Sequence, residues 1–378
     1  NTASGGGTIT GVLPVEAGCG NSKYELPVAV GDGVTLVSTS TDPSANSIKL
    51  SSSAYVQYSD AIAAYFKSGG FKVSAEDGDR IYGACANAAS VAAGENPTVH
   101  LMNDYQTVEP IRSGSKTVTL DLGGHTYTYT SAKNQVVEVN HKNVTLTIAN
   151  GKLVATEEGP NGIEVGYDGA GIVLDGVTVE VPGDVYGIVT NGTKKDNSVV
   201  LKNSTLNVPN GQGIYFPSSG SVEIVNSIIT AEHNGVQMCA GDLTVSGKDT
   251  KITVTGTPEG KTESDGGIAD GAAISIVNRE GYKGVGDVRI EDGTFTAASG
   301  VDAVKAYSFD NDSNTESDWA DASESVDISG GTFSHVPDNM GDLCGEGYEP
   351  VMDPETGSTT VEVPEAERVA EINGRAYP

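Results

Sequence analysis

The chain has 378 residues, with 22 lysines and arginines against 51 aspartates and glutamates, and its formal net charge is −29. Nucleic acids and anionic membrane surfaces are bound through basic patches, and the sequence has no such patch, so neither is expected as a partner. No apolar stretch approaches the roughly 20 residues of a membrane-spanning helix. Membrane insertion is therefore not expected either.

Residues 1–53 are rich in glycine, serine and threonine and contain short β-like runs such as residues 34–37. We predict an N-terminal β extension over this range. The chain opens without a basic region or an apolar signal core, so it reads as a mature or trimmed segment. We expect it to be a monomeric module of a longer chain.

Residues 54–98 contain two alanine-rich stretches, 54–68 and 80–93. In the first stretch Tyr58, Ile62, Ala63, Tyr65 and Phe66 fall on one helical face. These stretches predict two helices. A repeating structure exposes the end of its core, and a helical cap over residues 54–98 would cover that end.

The segment 99–340 is dominated by a recurring phrase in which a small residue precedes alternating apolar residues. Successive copies lie 25, 26, 22, 38 and 30 residues apart. The small residues that begin them are Gly162, Gly187, Gly213, Gly235, Ala273 and Ala303. One coil of a parallel β-helix needs roughly 20–30 residues, whereas a propeller blade needs about 40. The spacing therefore predicts a β-solenoid.

A second recurring phrase places a polar residue at the same point of successive coils. These residues are Asn150, Asp175, Asn203, Asn226 and Asp292. Asparagine and aspartate tolerate turn conformations, and stacked asparagines hydrogen-bond along a solenoid, so this series indicates corners and not a site. The predicted fold class is all-β, a parallel β-helix with N-terminal capping helices.

The last segment, 341–378, predicts a C-terminal β-hairpin and linker. Residues 350–352 and 359–363 are strand-like and flank a turn at 353–357. Residues 369–377 have the pattern of a further strand.

Several of these phrases carry a family resemblance. Residues 120–126 (LDLGGHT), the strand ending at 103–105 (NDY), and the closing phrases 328–334 (ISGGTFS) and 344–351 (CGEGYEPV) resemble modules of large repetitive surface proteins of gut bacteria. Those modules are similar to the pectate-lyase-like right-handed β-helix superfamily. The resemblance implies an extracellular, cell-surface location, and right-handedness agrees with the general rule for parallel crossovers.

The same superfamily includes polysaccharide-degrading enzymes, which raises the question of catalysis. A lyase needs carboxylates and an Arg or Lys base on one face. Arg279, near Asp265, Asp270 and Glu280, is the best placed group, although a solvated loop with local ion pairs is the simpler interpretation. The phrases that polygalacturonases share, an Asn-Thr-Asp, an Asp-Asp pair and a His-Gly, are missing. We assign no catalytic residue and lean against an enzyme.

The insertion after Tyr307 is the candidate metal site. Oxygen-bearing side chains alternate through the loop, in the order Asp310, Asp312, Asn314, Glu316 and Asp318, and Asp321 follows at position 12. This spacing resembles a Ca²⁺ loop. It departs from the EF-hand because threonine replaces the turn glycine and no helices flank it. Calcium is thus a possible cofactor, and an exposed acidic loop is the alternative.

Four aromatic residues are candidate glycan contacts. Trp319, the only tryptophan, lies in the acidic loop, where its indole could stack on a sugar or pack onto the coil beneath. Tyr127, Tyr129 and Tyr215 would line one face if their strands stack. Tyrosines on a β-helix also occur there without any ligand.

The function that these features favour is that of an extracellular surface or adhesin-like module that binds glycans or a host surface protein. The alternatives are a polysaccharide lyase or glycoside hydrolase acting on acidic polysaccharide, and a structural stalk without a ligand. The four cysteines contain no CxxC pair and predict mostly free, buried thiols.

Overall fold

The computed structural model describes residues 2–3, 6–18, 25–257, 266–372 and 375–378. The molecule is all-β, with 49% of its residues in strands and 6% in helices. Its body is a right-handed parallel β-solenoid of about 11 turns. The predicted fold class is confirmed.

The N-terminal segment already forms solenoid coils. Its strands are Thr2–Ala3, Gly7–Gly11, Val15–Ala17, Leu26–Val30, Val34–Ser38, Ile48–Leu50 and Ala54–Gln57. Gly7 pairs with Val34 and Val15 with Ile48, both in parallel register. A core of its own fills these coils, because the inward residues alternate with exposed ones. The described residues 2–3, 6–18 and 25–57 are therefore coils, and residues 54–57, which the sequence predicted to be helical, form a strand.

A hairpin and two short helices follow. The strands are Phe71–Ala75 and Gly78–Tyr82, and the helices are Asp60–Ala63 and Cys85–Val91. The predicted helices over 54–68 and 80–93 are thus too long. Val56 is a buried strand residue, and the first helix ends after one turn at its cap residue Ala64. The second hairpin strand pairs antiparallel with Ala54–Gln57, and the first pairs antiparallel with Thr98–Leu101. The hairpin therefore joins the N-terminal coils to the main solenoid.

The main solenoid has three faces, and every described coil except the last contributes a strand to all three. The first face consists of Thr98–Leu101, Val118–Asp121, the first halves of Thr145–Ala155 and Gly171–Glu180, Asn197–Lys202, Gly220–Val225, Ala240–Ser246, Gly284–Ile290 and Val326–Ile328. The second consists of Tyr105–Thr107, Thr126–Tyr129, the second halves of the same two long strands, Thr205–Val208, Ile228–Ala231, Lys251–Val254, Thr294–Thr296 and Thr332–Phe333. The third consists of Ile111–Arg112, Gln135–Val139, Asn161–Val165, Tyr186–Thr190, Gln212–Phe216, Val236–Met238, Ile274–Arg279 and Val304–Asp310.

The core is a set of aliphatic columns in register. On the third face Ile163, Ile188 and Ile214 are successive partners, and each is fully buried. Burying such a side chain stabilises the fold by about 1.5–3 kcal/mol. Repetition of this column through every coil supplies the core of the rod.

The corner between the first and second faces uses left-handed backbone. Asn150, Asn203 and Asn226 have φ of +55°, +51° and +46°. Asp175 and Asp292 are not themselves left-handed, because the glycine that follows each takes the positive φ. The polar series that the sequence predicted is therefore a stack of corners.

The C-terminal end carries the predicted hairpin. Glu349–Met352 pairs antiparallel with Thr359–Glu362, which also pairs with Thr332–Phe333 of the last coil. A short helix, Met340–Leu343, precedes it, two 3-10 turns lie at Ala322–Glu324 and Glu365–Glu367, and Ala370–Ile372 pairs with Arg375–Tyr377. In the described chain Cys85, Cys239 and Cys344 are free thiols, and Cys19 lies outside it.

Candidate binding groove on the third face

The outward side chains of the third face form one column along the solenoid axis. Parallel register places Arg112, Glu138, Glu164, Val189, Tyr215, Gln237, Ser275 and Lys305 in that order on successive coils. Adjacent members lie on strands about 4.8 Å apart. We call this set the outward column.

The segment 266–272 covers the outward column at Gln237 and Ser275, the two positions before Lys305. Gln237 accepts a hydrogen bond from the backbone N–H of Ile268 at 3.0 Å, and Ser275 donates its hydroxyl to Asp270 at 2.8 Å. Both outward side chains are fully buried as a result. This segment lies within the 38-residue step between Gly235 and Ala273, so the longest step of the repeat is the one that covers the face.

An open groove of about 540 Å³ lies beside this cover, over the part of the column that the segment does not reach. Its floor is Glu164, Val189 and Tyr215. Residues 190–193 and Pro217 form one wall, and residues 281–282 form the other. The lining mixes amide, hydroxyl, carboxylate and aromatic groups, which is the composition of a polar ligand site.

The wall at residues 281–282 reaches back across several coils. The hydroxyl groups of Tyr282 and Tyr215 are hydrogen-bonded at 3.1 Å, and the ammonium group of Lys283 donates to the carbonyl oxygen of Lys194. The Arg279 guanidinium carbon lies 5.0 Å from the centre of the Tyr282 ring. These contacts fix a half-buried tyrosine ring at the groove.

Glu164 lines the groove, and a second carboxyl group lies on the adjacent coil. Glu164 is the register partner of Glu138, whose carboxylate is held by Arg112 at 2.9 Å. Burial, and secondly the charge of Glu138, raises the pKa of Glu164 above its usual value. A perturbed carboxyl in a cleft marks a functional-site candidate.

The residues predicted for lyase chemistry are only partly brought together. Arg279 is 6% exposed and donates to the carbonyl oxygen of Gly266 and to Oδ1 of Asn311. Asp270 is also buried. Burial raises the pKa of the Cys239 thiol to about 12; the charge of Arg279 lowers this pKa and the charge of Asp270 raises it. Glu280 is exposed on the surface, and Asp265 lies outside the described residues.

Asp270 is the centre of an internal network. Its oxygens accept from Ala272 N–H at 3.0 Å, Ser275 Oγ at 2.8 Å and Tyr307 Oη at 2.8 Å, and also from the Asn234 amide. Burial raises the pKa of Asp270. All of these partners belong to the fold, so the carboxyl holds the cover segment in place.

The three predicted tyrosines do not share an exposed face. Tyr127 and Tyr129 are inward residues of the second face, 2% and 0% exposed, and their hydroxyls donate to the carbonyl oxygens of Glu109 and Lys133. Tyr215 is on the third face and is 1% exposed, at the floor of the groove. Only Tyr215 adjoins the candidate site.

The predicted calcium loop is a β-hairpin. Thr315–Asp318 pairs antiparallel with Val304–Asp310, so Glu316 and Asp318 lie on an extended strand. Asp310 accepts from the N–H groups of Asp312 and Ser313, which lowers its pKa, and Asn314 takes φ +54° in the turn.

The acidic side chains of this hairpin do not converge. Glu316 is paired with Lys305 at 2.9 Å, and Asp321 begins the 3-10 turn Ala322–Glu324. Within the described ranges no three His, Cys, Asp or Glu side chains gather to hold a metal ion. Calcium binding by this loop stays a prediction that the hairpin geometry does not support.

Trp319 follows the hairpin directly. It is half-buried, packs against the main core and lines a second cleft. The packing interpretation offered by the sequence agrees with this contact, and stacking on a sugar stays a prediction.

Glu164 and Tyr282 were not singled out from the sequence. Glu164 occupies the outward position of the repeated phrase at 162–165, a signal that alternation alone provides. Tyr282 gives no comparable signal, because the loop after Ile274–Arg279, two coils beyond Tyr215, brings it to the groove.

Comparison with protein-family models, with curated proteins and with solved structures found no match for this chain. In the part of the chain that the structure describes, no helix is long and apolar enough to span a membrane. The resemblance to bacterial surface modules accordingly remains a prediction.

Proposed function

We propose that this β-solenoid is a carbohydrate-binding module of an extracellular surface protein. The observation that carries the proposal is the groove of about 540 Å³ with Glu164, Asn191 and Tyr282 on its lining. Sugars present hydroxyl groups to amides and carboxylates, and present C–H faces to aromatic rings. In the groove, Asn191 and Glu164 supply the amide and the carboxylate, and Tyr282 supplies the aromatic ring.

The rigidity of the site also supports binding. Tyr282 is fixed by Tyr215 and by Arg279, and Thr193 is fixed through both its N–H and its hydroxyl, which donate to Oδ1 of Asn191. A ligand therefore orders few side chains when it binds, and the entropic cost of association is small.

The test is retention of the purified chain on immobilised plant, microbial and host glycans. Tyr282→Ala should weaken retention about tenfold, the loss of roughly 1.4 kcal/mol of stacking. Tyr167→Ala is the matched control, because Tyr167 is 40% exposed and does not line the groove. Retention that is equal in the two variants would refute the groove as the site. Absence of retention on any glycan would favour a stalk or a protein adhesin.

A second candidate function, glycoside hydrolysis, is favoured by Glu164. It lines the groove beside its register partner Glu138, and its raised pKa suits a general acid. Release of reducing ends that is lost in Glu164→Gln, with retention preserved, would support it. Retention without release would leave the binding module as the better account.

A further inference from the structure

A second cleft, of about 580 Å³, opens on the outward column beyond the cover segment. Lys305 at its floor is the register partner of Ser275, so it lies in the same column as Tyr215. Three strand spacings separate Lys305 from Tyr215, or about 14 Å along the axis. We call this cavity the Trp319 cleft.

The cleft has defined walls. One wall is the antiparallel hairpin of Val304–Asp310 with Thr315–Asp318, which ends immediately before Trp319, and the other is residues 337–339. Lys305 lies with its ammonium nitrogen 4.7 Å from the centre of the Tyr307 ring and is paired with Glu316. The hairpin that the sequence suggested as a metal loop thus builds one side of a cavity.

The lining of the cleft has more acidic than basic side chains. Among the described residues that line the cleft, Lys305 is the one lysine or arginine, and Glu316 pairs with it. Asp302 is paired with His335 at 2.5 Å. Asp318 and Asp338 are exposed lining residues, and no ion pair joins either to another described residue. The cleft is therefore net negative beside an aromatic ring, and both features attract a cation and repel a carboxylate.

We infer that the Trp319 cleft is a second glycan subsite, which takes an amino sugar in its ammonium form. The indole stacks on the sugar ring, and the Asp318 and Asp338 carboxylates accept hydrogen bonds from the ammonium group. This inference rests on the proposed glycan-binding function, since the groove and the cleft lie on one column and bind one chain. The ligand class is then a polymer of amino sugars with free amines, and uronate polymers are excluded.

Trp319 is the only tryptophan, so intrinsic fluorescence reports on this cleft alone. The probes are a glucosamine hexamer, its fully N-acetylated form and a galacturonate hexamer, compared at one pH and ionic strength. We expect a saturable fluorescence change with the glucosamine hexamer, at least about tenfold weaker binding of the N-acetylated form, and no change with the galacturonate. The double variant D318N/D338N should weaken binding about tenfold, whereas Glu355→Gln, an exposed carboxyl in the C-terminal hairpin, should not.

Retention on the same amino-sugar polymer, compared between the native chain and Tyr282→Ala, separates the two proposals. Tyr282-dependent retention without a fluorescence change would overturn the second subsite and leave the groove intact. Equal fluorescence titrations with the N-acetylated or galacturonate hexamer would overturn the assigned ligand class. No retention on any glycan would overturn the proposed function and this inference together.

Discussion

Tyr307 donates its phenolic hydrogen to Oδ2 of Asp270 across 2.8 Å, and this bond ties a strand of the third face to the segment that covers it. Asp270 is 3% exposed. This carboxyl holds residues 266–272 over Gln237 and Ser275, which are buried. The groove therefore ends at Tyr215, the last uncovered position of the outward column. The polar network and the shape of the site are thus linked.

Replacing Asp270 should destabilise the protein. Asp270→Ala removes the acceptor for Tyr307, Ser275 and Asn234 and leaves buried donors unpaired, so we expect a loss of about 2–4 kcal/mol. Asp270→Asn keeps one acceptor oxygen and should cost less. Urea unfolding followed by circular dichroism measures both, with the exposed Glu280→Gln as the control. An alanine variant as stable as that control would show that the network does not hold the cover.

The same carboxyl predicts a pH dependence. Burial raises the pKa of Asp270 in the folded chain above its ordinary value of 3.8, so the folded state binds this proton more tightly than the unfolded state. Its contribution to stability is then greatest below pH 3.8 and falls as the pH rises through the folded-state pKa. The unfolding free energy of the native chain relative to Asp270→Asn should therefore decline over that range. A difference that is constant with pH would contradict the assignment.

The glycines that begin the repeated phrase have a steric cause, which gives a third prediction. A Cβ on Gly187 would lie 2.7 Å from the carbonyl oxygen of Gly213 in the next coil and 2.7 Å from Val208. Gly187→Ala should cost about 1–3 kcal/mol through overpacking. Gly341→Ala, where nothing lies within 4 Å in a short helix, is the control. Equal melting temperatures of the two variants would refute the steric account.

This glycine series explains why the fold could be predicted from the sequence. The backbone of the following coil leaves no room for a Cβ at four of these positions, Gly162, Gly187, Gly213 and Gly235. The repeated glycine in the sequence therefore follows from the stacking of the coils. The alanine-rich stretches were misleading for the opposite reason. Helical periodicity in residues 54–68 is overridden by strand pairing, which places Tyr55 beside Tyr82, and tertiary context outweighs propensity.

The candidate site was less accessible to sequence reasoning. Tyr127 is the register partner of the buried Leu153, so aligning these two phrases would have predicted an inward ring. Tyr282 contacts Tyr215 from 67 residues away, and no local pattern encodes that distance. The groove arises from a loop and a cover segment, both of which interrupt the repeat.

The calcium hypothesis can be tested directly. Because Asp310 is engaged by its own turn and Glu316 by Lys305, we expect Ca²⁺ to leave the melting temperature unchanged within error. Differential scanning calorimetry in EDTA and in millimolar Ca²⁺ is the measurement. A clear rise that is lost in the double variant D310N/D312N would instead establish the loop as a metal site.

A buried ladder of hydroxyl groups runs along the corner of the solenoid and gives the last prediction. Ser204 Oγ accepts from Val177 N–H at 3.1 Å, Ser227 Oγ accepts from Ser204 N–H at 3.1 Å, and each hydroxyl donates to a carbonyl oxygen of its own coil. Ser227→Ala leaves the Ser204 N–H and the Val225 carbonyl oxygen without these bonds in a site that water does not reach.

The expected cost of Ser227→Ala is about 1–3 kcal/mol. Ser221→Ala, an exposed position on the same coil, should change stability by less than about 0.5 kcal/mol. Amide hydrogen exchange gives a local readout, because the Ser204 N–H should lose protection in the first variant and keep it in the second. Unchanged protection in Ser227→Ala would mean that the backbone of the corner, and not the hydroxyl ladder, shields that amide.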